Sequence, residues 1–120
     1  MSADQNKTIY RQFIQGVFNK GRLDLIDKLL SESYVYHDAP PDTPNGREGI
    51  KQIVPMFRSA FPDLEITIDD QVAEGDKVSS RTTMRGTHKG EIFGIPPTGK
   101  SVAMTGMTMV RVSDGHLVES

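Results

Sequence analysis

The chain of 120 residues has no cysteine and no tryptophan, and no apolar run in it approaches the roughly 20 residues that a membrane-spanning helix needs. Without cysteine there are no disulfides, no thiolate metal sites and no thiol nucleophile, and a reducing compartment is compatible. The N-terminus, "MSADQNKTIY", lacks a basic region followed by an apolar one, so no leader is expected and the protein reads as cytoplasmic. Excess positive charge is also missing. With 14 Lys+Arg against 16 Asp+Glu and a net charge of −2, neither nucleic acid nor an anionic membrane is an expected partner. The three histidines are scattered, and neither H-E-x-x-H nor a carboxylate cluster at ligand spacing occurs, so no metal and no cofactor are called for. Internal repeats and low-complexity stretches are absent too.

What the chain does have is 36% hydrophobic and 25% charged residues, the balance of a soluble globular protein. Its length implies one domain over residues 1–120, hiding roughly two-thirds of its unfolded surface. That suffices for one core and a pocket. Asp4 is the expected cap of a first helix, in which Ile9, Phe13 and Val17 recur every four positions and Tyr10, Ile14 and Phe18 widen the stripe as far as Gly21. A second helix is expected in "RLDLIDKLLSES", on the face Leu23, Ile26, Leu29 and Leu30. "YVYHDAPPDTPNG" then turns irregular, and Gly46 precedes a third helical pattern, Ile50, Ile53, Val54 and Phe57, which Pro55 should kink or limit.

After Pro62 the hydrophobic period becomes two. "LEITIDD", "KVSSRTTMRGTH" and "SVAMTGMTMVRV" read as strands, with "EGD" and "SDGH" as turns, and "LVES" begins a strand cut short at Ser120. Helices first and strands after predict an α+β domain, its N-terminal helices packed on one face of a curved antiparallel sheet.

"GIPPTGKS", Gly94 to Ser101, satisfies the phosphate-loop spacing G-x-x-x-x-G-K-[ST]. Such a loop needs successive backbone N–H groups between a strand and a helix. Here Pro96 and Pro97 remove two donors, and Ser101 leads into a strand. The segment is expected as a hairpin connection, without nucleotide binding.

Strand parity puts Val78, Ser80, Thr82, Met84, Gly86 and His88 on one face, with Ser79, Arg81, Thr83 and Arg85 on the other. The first face mixes aliphatic side chains with hydroxyls and an imidazole, which suits a partly polar cavity. His88 is either a pocket group or a half-buried histidine held by a carbonyl. Successive residues of an extended segment alternate sides, so His37 and Asp38 make no ready-made dyad, and His37 reads as a cavity-mouth imidazole or a solvated loop residue. His116 is expected in solvent. Asp69–Asp70 reads as a strand end. Met104, Met107 and Met109 crowd one strand, and with Met84, Met56 and Phe57 they are adaptable apolar material for a core or a ligand.

The run from Phe61 to Gly106, with "FPDL", "EGDKV", "GTHKG" and "GIPPTGK" in order, resembles the SnoaL-like polyketide cyclase family. The leading helices with "GREGIKQ" and the trailing "VSDGHLVES" extend the likeness over most of the chain. The resemblance implies a cone-shaped α+β barrel of the nuclear-transport-factor type, a hydrophobic pocket closed by the helices, and a homodimer. It also implies an intramolecular aldol condensation without metal or cofactor, in which a carboxylate takes an acidic C–H proton and nearby donors steady the enolate. The family's carboxylate is an aspartate a few residues beyond a tryptophan in the last strand, and this sequence contains neither. His88, in "GTHKG", carries over as the candidate catalytic group. Phe13, Val17, His37, Phe57, Met84 and Met104 are the candidate ligand-binding residues, for a hydrophobic small molecule. A non-catalytic binding or dimerisation module on the same fold is the alternative.

Overall fold

In the computed structural model, which describes residues 2–120, helices give way to strands at the change of hydrophobic period around Pro62. Helix α1, Ala3–Gln12, begins with a capping box: the Ser2 hydroxyl accepts from the Gln5 amide at 3.1 Å, and the Gln5 side chain accepts from the Ser2 amide at 2.8 Å. The cap thus lies two residues before Asp4. Asp4 instead places its charge in the first turn, where the helix dipole favours it.

Helix α1 runs directly into a π-helical segment, Phe13–Asn19, and Gly21 follows with φ 70°. The wider turn brings residues five apart onto one side. Phe13 and Phe18 therefore meet edge to face at 5.5 Å, while Val17 turns wholly into the core. Two side chains hold this segment. Arg58 donates to the Phe18 and Asn19 carbonyls at 2.9 and 2.7 Å, and the Asn19 amide group exchanges two hydrogen bonds with the Ile66 backbone.

The second helix is shorter than its apolar pattern suggests. Helix α2 covers Asp24–Leu29, and Leu30–Val35 forms strand β1. The sheet overrides weak helix propensity in "LSESYV", because β1 finds a partner near the C-terminus: Leu30 lies opposite Leu117 and Val35 opposite Glu119. Helix α3, Arg47–Ala60, passes through Pro55 without ending. Pro55 is exposed, so the carbonyl freed by its missing N–H lies on the solvent side.

Strands β2 (Glu65–Glu74), β3 (Lys77–Thr87), β4 (Ser101–Ser113) and β5 (His116–Glu119) complete a sheet of order β1-β5-β4-β3-β2. Two expectations need correcting. The sheet is mixed rather than antiparallel, since β1 and β5 are parallel, as strands joined by a long crossover can be. It is also open, with β1 and β2 as edges rather than the seam of a closed barrel. Asp69–Asp70 does not end β2. A bulge lies there, and the extra residue puts Ile66 and Ile68 on the inner face before it and Gln71 on that face after it. Asp69 accepts from the Thr83 hydroxyl at 2.5 Å, which explains a buried threonine on the outer face.

Helices α1 and α3 and the π-helical segment cover the inner face. Ile9, Phe13, Val17, Ile53 and Val54 pack there against Val78, Val110, Val112 and Leu117. A second cluster of Ala60, Phe61, Leu64 and Ile92 closes the far end. Residues 94–100 lie in the β3–β4 connection and Ser101 opens β4, as the prolines of "GIPPTGKS" imply. Strand β4 pairs with β5 only over Arg111–Ser113, so among the described residues Ser101–Val110 meets no strand on that side.

Candidate functional site

Between the helices and the inner sheet face lies a cavity of about 180 Å³. Its apolar wall comes from Phe13, Ile14 and Phe18 of the π-helical segment, with Ile50, Ile66, Val110 and Leu117. Set into that wall are six hydroxyl groups: Tyr10, Tyr34, Tyr36, Thr82, Thr108 and Ser120. The chain has only three tyrosines, and all of them are here.

Each tyrosine arrives by a different local rule. Tyr10 sits one position from the main stripe of α1. Tyr34 and Tyr36 are two apart in extended chain and so share a side. The Tyr34 hydroxyl is hydrogen-bonded to the Ser120 hydroxyl, and the chain there is fixed by backbone bonds from Ser120 to Val35 and from His37 to Ser120, at 3.0 and 2.9 Å. Burial pushes the Tyr34 hydroxyl up to about 12, against the opposing pull of its bond to Ser120. Burial raises Tyr10 too, with Thr108 opposing, and it raises Tyr36 together with the negative charge of Asp38. At neutral pH the three are therefore proton donors. Among the residues lining the cavity there is no carboxylate side chain and no imidazole.

The anticipated site residues are divided between several places. Phe13 lines the cavity, whereas Val17 lies behind it in the core. His88 is buried, 6% exposed, as strand parity requires, but it belongs to the far cluster and does not line this cavity. Its ring lies 5.5 Å from that of Phe61, its Nδ1 is 3.2 Å from the Thr98 hydroxyl, and its Nε2 has no partner among the described residues. Its backbone clasps the base of the β3–β4 connection through bonds with Gly99 and Lys100. Phe57 and Met84 pack at that same end, where Phe57 meets the Phe93 ring at 6.0 Å. Met104, opposite Met84, is 52% exposed on the inner face.

His37 stands in solvent at 2.8 Å from Glu119. Its bond, with that of Arg111 at 2.7 Å, holds the Glu119 carboxyl down at about 2. His116 is exposed, as expected. Met107 and Met109 lie on the outer face with Val72. Sequence reasoning missed Tyr34, Tyr36 and Ser120. Their signal was the Y-x-Y alternation inside a segment whose prolines suggested irregular chain.

No curated protein matches the chain. Solved structures do. TsrD from Streptomyces laurentii is 27% identical with a TM-score of 0.88, over 99% of this chain and 87% of that one. IdmH from Streptomyces antibioticus, a proposed polyketide cyclase, is 37% identical with a TM-score of 0.82, over 96% and 88%. AclR from Streptomyces galilaeus, a proposed hydroxylase, is 29% identical with a TM-score of 0.83, over 98% and 73%. The SnoaL-like polyketide cyclase profile matches residues 8–120, and the chain belongs to that family.

Proposed function

We propose that this protein binds a small apolar molecule carrying carbonyl oxygens, of polyketide type, and polarises it toward its enolate with its own hydroxyl groups. The observation that carries this reading is the convergence of every tyrosine of the chain on one apolar cavity, each held as a donor by burial. A hydroxyl aimed at a developing enolate oxygen is worth more in such a site than in water. In the full aldol reaction a base removes the proton from a carbon between two carbonyls. The enolate carbon then attacks a second carbonyl, forming the new C–C bond, and the resulting alkoxide takes back a proton. No electron acceptor is involved. His88, the imidazole that the family likeness suggested, lies with Phe61 outside this cavity, so the base for that step has to come from the substrate or from water.

Binding without turnover is the second reading. It is favoured by the lack of a carboxylate or imidazole side chain among the cavity-lining residues. One experiment separates the two. Tyrosine emission, undisturbed by tryptophan, is titrated with a hydroxynaphthoquinone, and a linear β-polyketone ester is incubated with the protein and examined for a ring-closed isomer. Saturable quenching that weakens in Tyr34→Phe supports the site, and formation of the isomer supports turnover. Quenching that is absent, or indifferent to Tyr34→Phe, sinks the cavity as the binding site.

A further inference from the structure

Gly106 lies in the middle of the 13-residue strand β4, where a glycine costs stability and calls for a reason. The usual reasons fail. Gly106 is not among the positive-φ glycines of the described chain. No bulge interrupts the β3–β4 register, in which Gly106 stands directly opposite Thr82. Nor does close packing exclude a side chain, because a Cβ placed on Gly106 meets no atom of the described residues within 4 Å. The protein's own fold leaves this space empty.

Its position says what the space adjoins. Thr82 lines the cavity, and a residue directly opposite it in an antiparallel pair faces the same side. Thr108, two residues along β4, lines the cavity as well. The inner surface from Thr108 across Gly106 to Met104 is thus a continuous extension of the cavity floor. It is about 13 Å long at the usual rise of a strand. Size points the same way. The cavity's volume of about 180 Å³ lies below the roughly 300–1,000 Å³ typical of small-molecule pockets, and the cavity is partly open, so a ligand of ordinary size must continue beyond it.

We infer that Gly106 is a specificity-determining position: the open floor over Gly106, bordered by Met104, receives the part of a flat, multi-ring carbonyl ligand that the cavity cannot hold. This rests on the cavity being the binding site. A bare backbone lets a planar ring lie close to the strand, and the flexible thioether of Met104 adapts to its edge.

The test compares a two-ring hydroxynaphthoquinone with a three-ring hydroxyanthraquinone, measured by calorimetry on the wild type and on Gly106→Val. Valine suits a strand, and the open space accommodates it, so the variant should fold with unchanged or raised thermal stability. The expected result is at least a tenfold loss for the three-ring probe and less than a twofold change for the two-ring probe. Gly106→Ala should give a smaller loss in the same direction, and it serves if the valine variant does not fold. Three-ring affinity unchanged in both variants overturns the inference while leaving the cavity reading intact. A two-ring probe that fails to bind even the wild type sinks the cavity reading itself. Unchanged ligand affinity together with a lost dimer in light scattering would assign the space to a second copy of the chain, and overturns the proposal equally.

Discussion

Raising the pH should destabilise this protein through Tyr34, and the tyrosine can be identified by removing one oxygen atom. The Tyr34 side chain is almost wholly buried, and its hydroxyl is held at about 12 against an ordinary value near 10. The folded state thus holds the proton more tightly than the unfolded chain. A raised value of this kind contributes stability that is complete below pH 10 and is lost as the pH rises toward 12. Two units correspond to roughly 2–3 kcal/mol. Tyr34→Phe removes that dependence, but it also breaks the hydrogen bond to Ser120, at a net cost of about 1 kcal/mol.

The two effects have opposite signs in different pH ranges, so the stability curves should cross. At pH 9 the variant is the weaker by about 1 kcal/mol, and at pH 12 it is the stronger by roughly 1–2 kcal/mol. Urea unfolding of both proteins at each pH supplies the curves; contributions from the lysines cancel in the difference, and those of Tyr10 and Tyr36, whose charges act on Tyr34, cancel in part. Near-ultraviolet absorbance of tyrosinate, free of any tryptophan background, gives the ionisation directly. Parallel curves, or a tyrosinate titration with no component displaced upward, would refute the buried-donor description of the cavity.

A homodimer is expected through the outer sheet face, where Val72, Met107 at 75% exposure and Met109 form an apolar group beside Thr83 and Thr105. Met107→Glu should convert it to monomer in light scattering, and a wild type that is monomeric at high concentration removes the idea. Mg-ATP and Mg-GTP should give flat calorimetric traces, because residues 94–100 lead into β4 and not into a helix; saturable binding lost in Lys100→Ala would contradict this. His88→Ala should cost about 1–3 kcal/mol and speed exchange of the Gly99 amide, which donates to the His88 carbonyl. Whatever that result, turnover that survives His88→Gln takes the imidazole out of the chemistry.

Periodicity made the strand faces legible, and the case of β3 explains why. From Val78 to His88 the alternation is unbroken, and a period of two converts directly into a side of the sheet, so His88 is buried as expected. What periodicity cannot convey is which cavity a buried residue faces along the strand. Thr82 and His88 share a face, but six residues of strand span about 20 Å, enough to put one in the cavity wall and the other against Phe61. The same limit separates Met104 from the enclosed site.

Elements set by long-range pairing were illegible for another reason. "LSESYV" is a strand because β5 lies beside it, 87 positions away at Leu30 and Leu117, and no local signal carries that information. The π-helical segment is a subtler instance. An α-helical spacing groups Ile9, Phe13 and Val17, yet the wider turn exchanges Val17 for Phe18 on the cavity side, and both residues are apolar. A hydrophobicity pattern is blind to an exchange of like for like. The choice is made by Arg58 and Asn19, two polar side chains that hold the turn open through backbone partners, and it is their bonds that place an aromatic ring in the cavity wall.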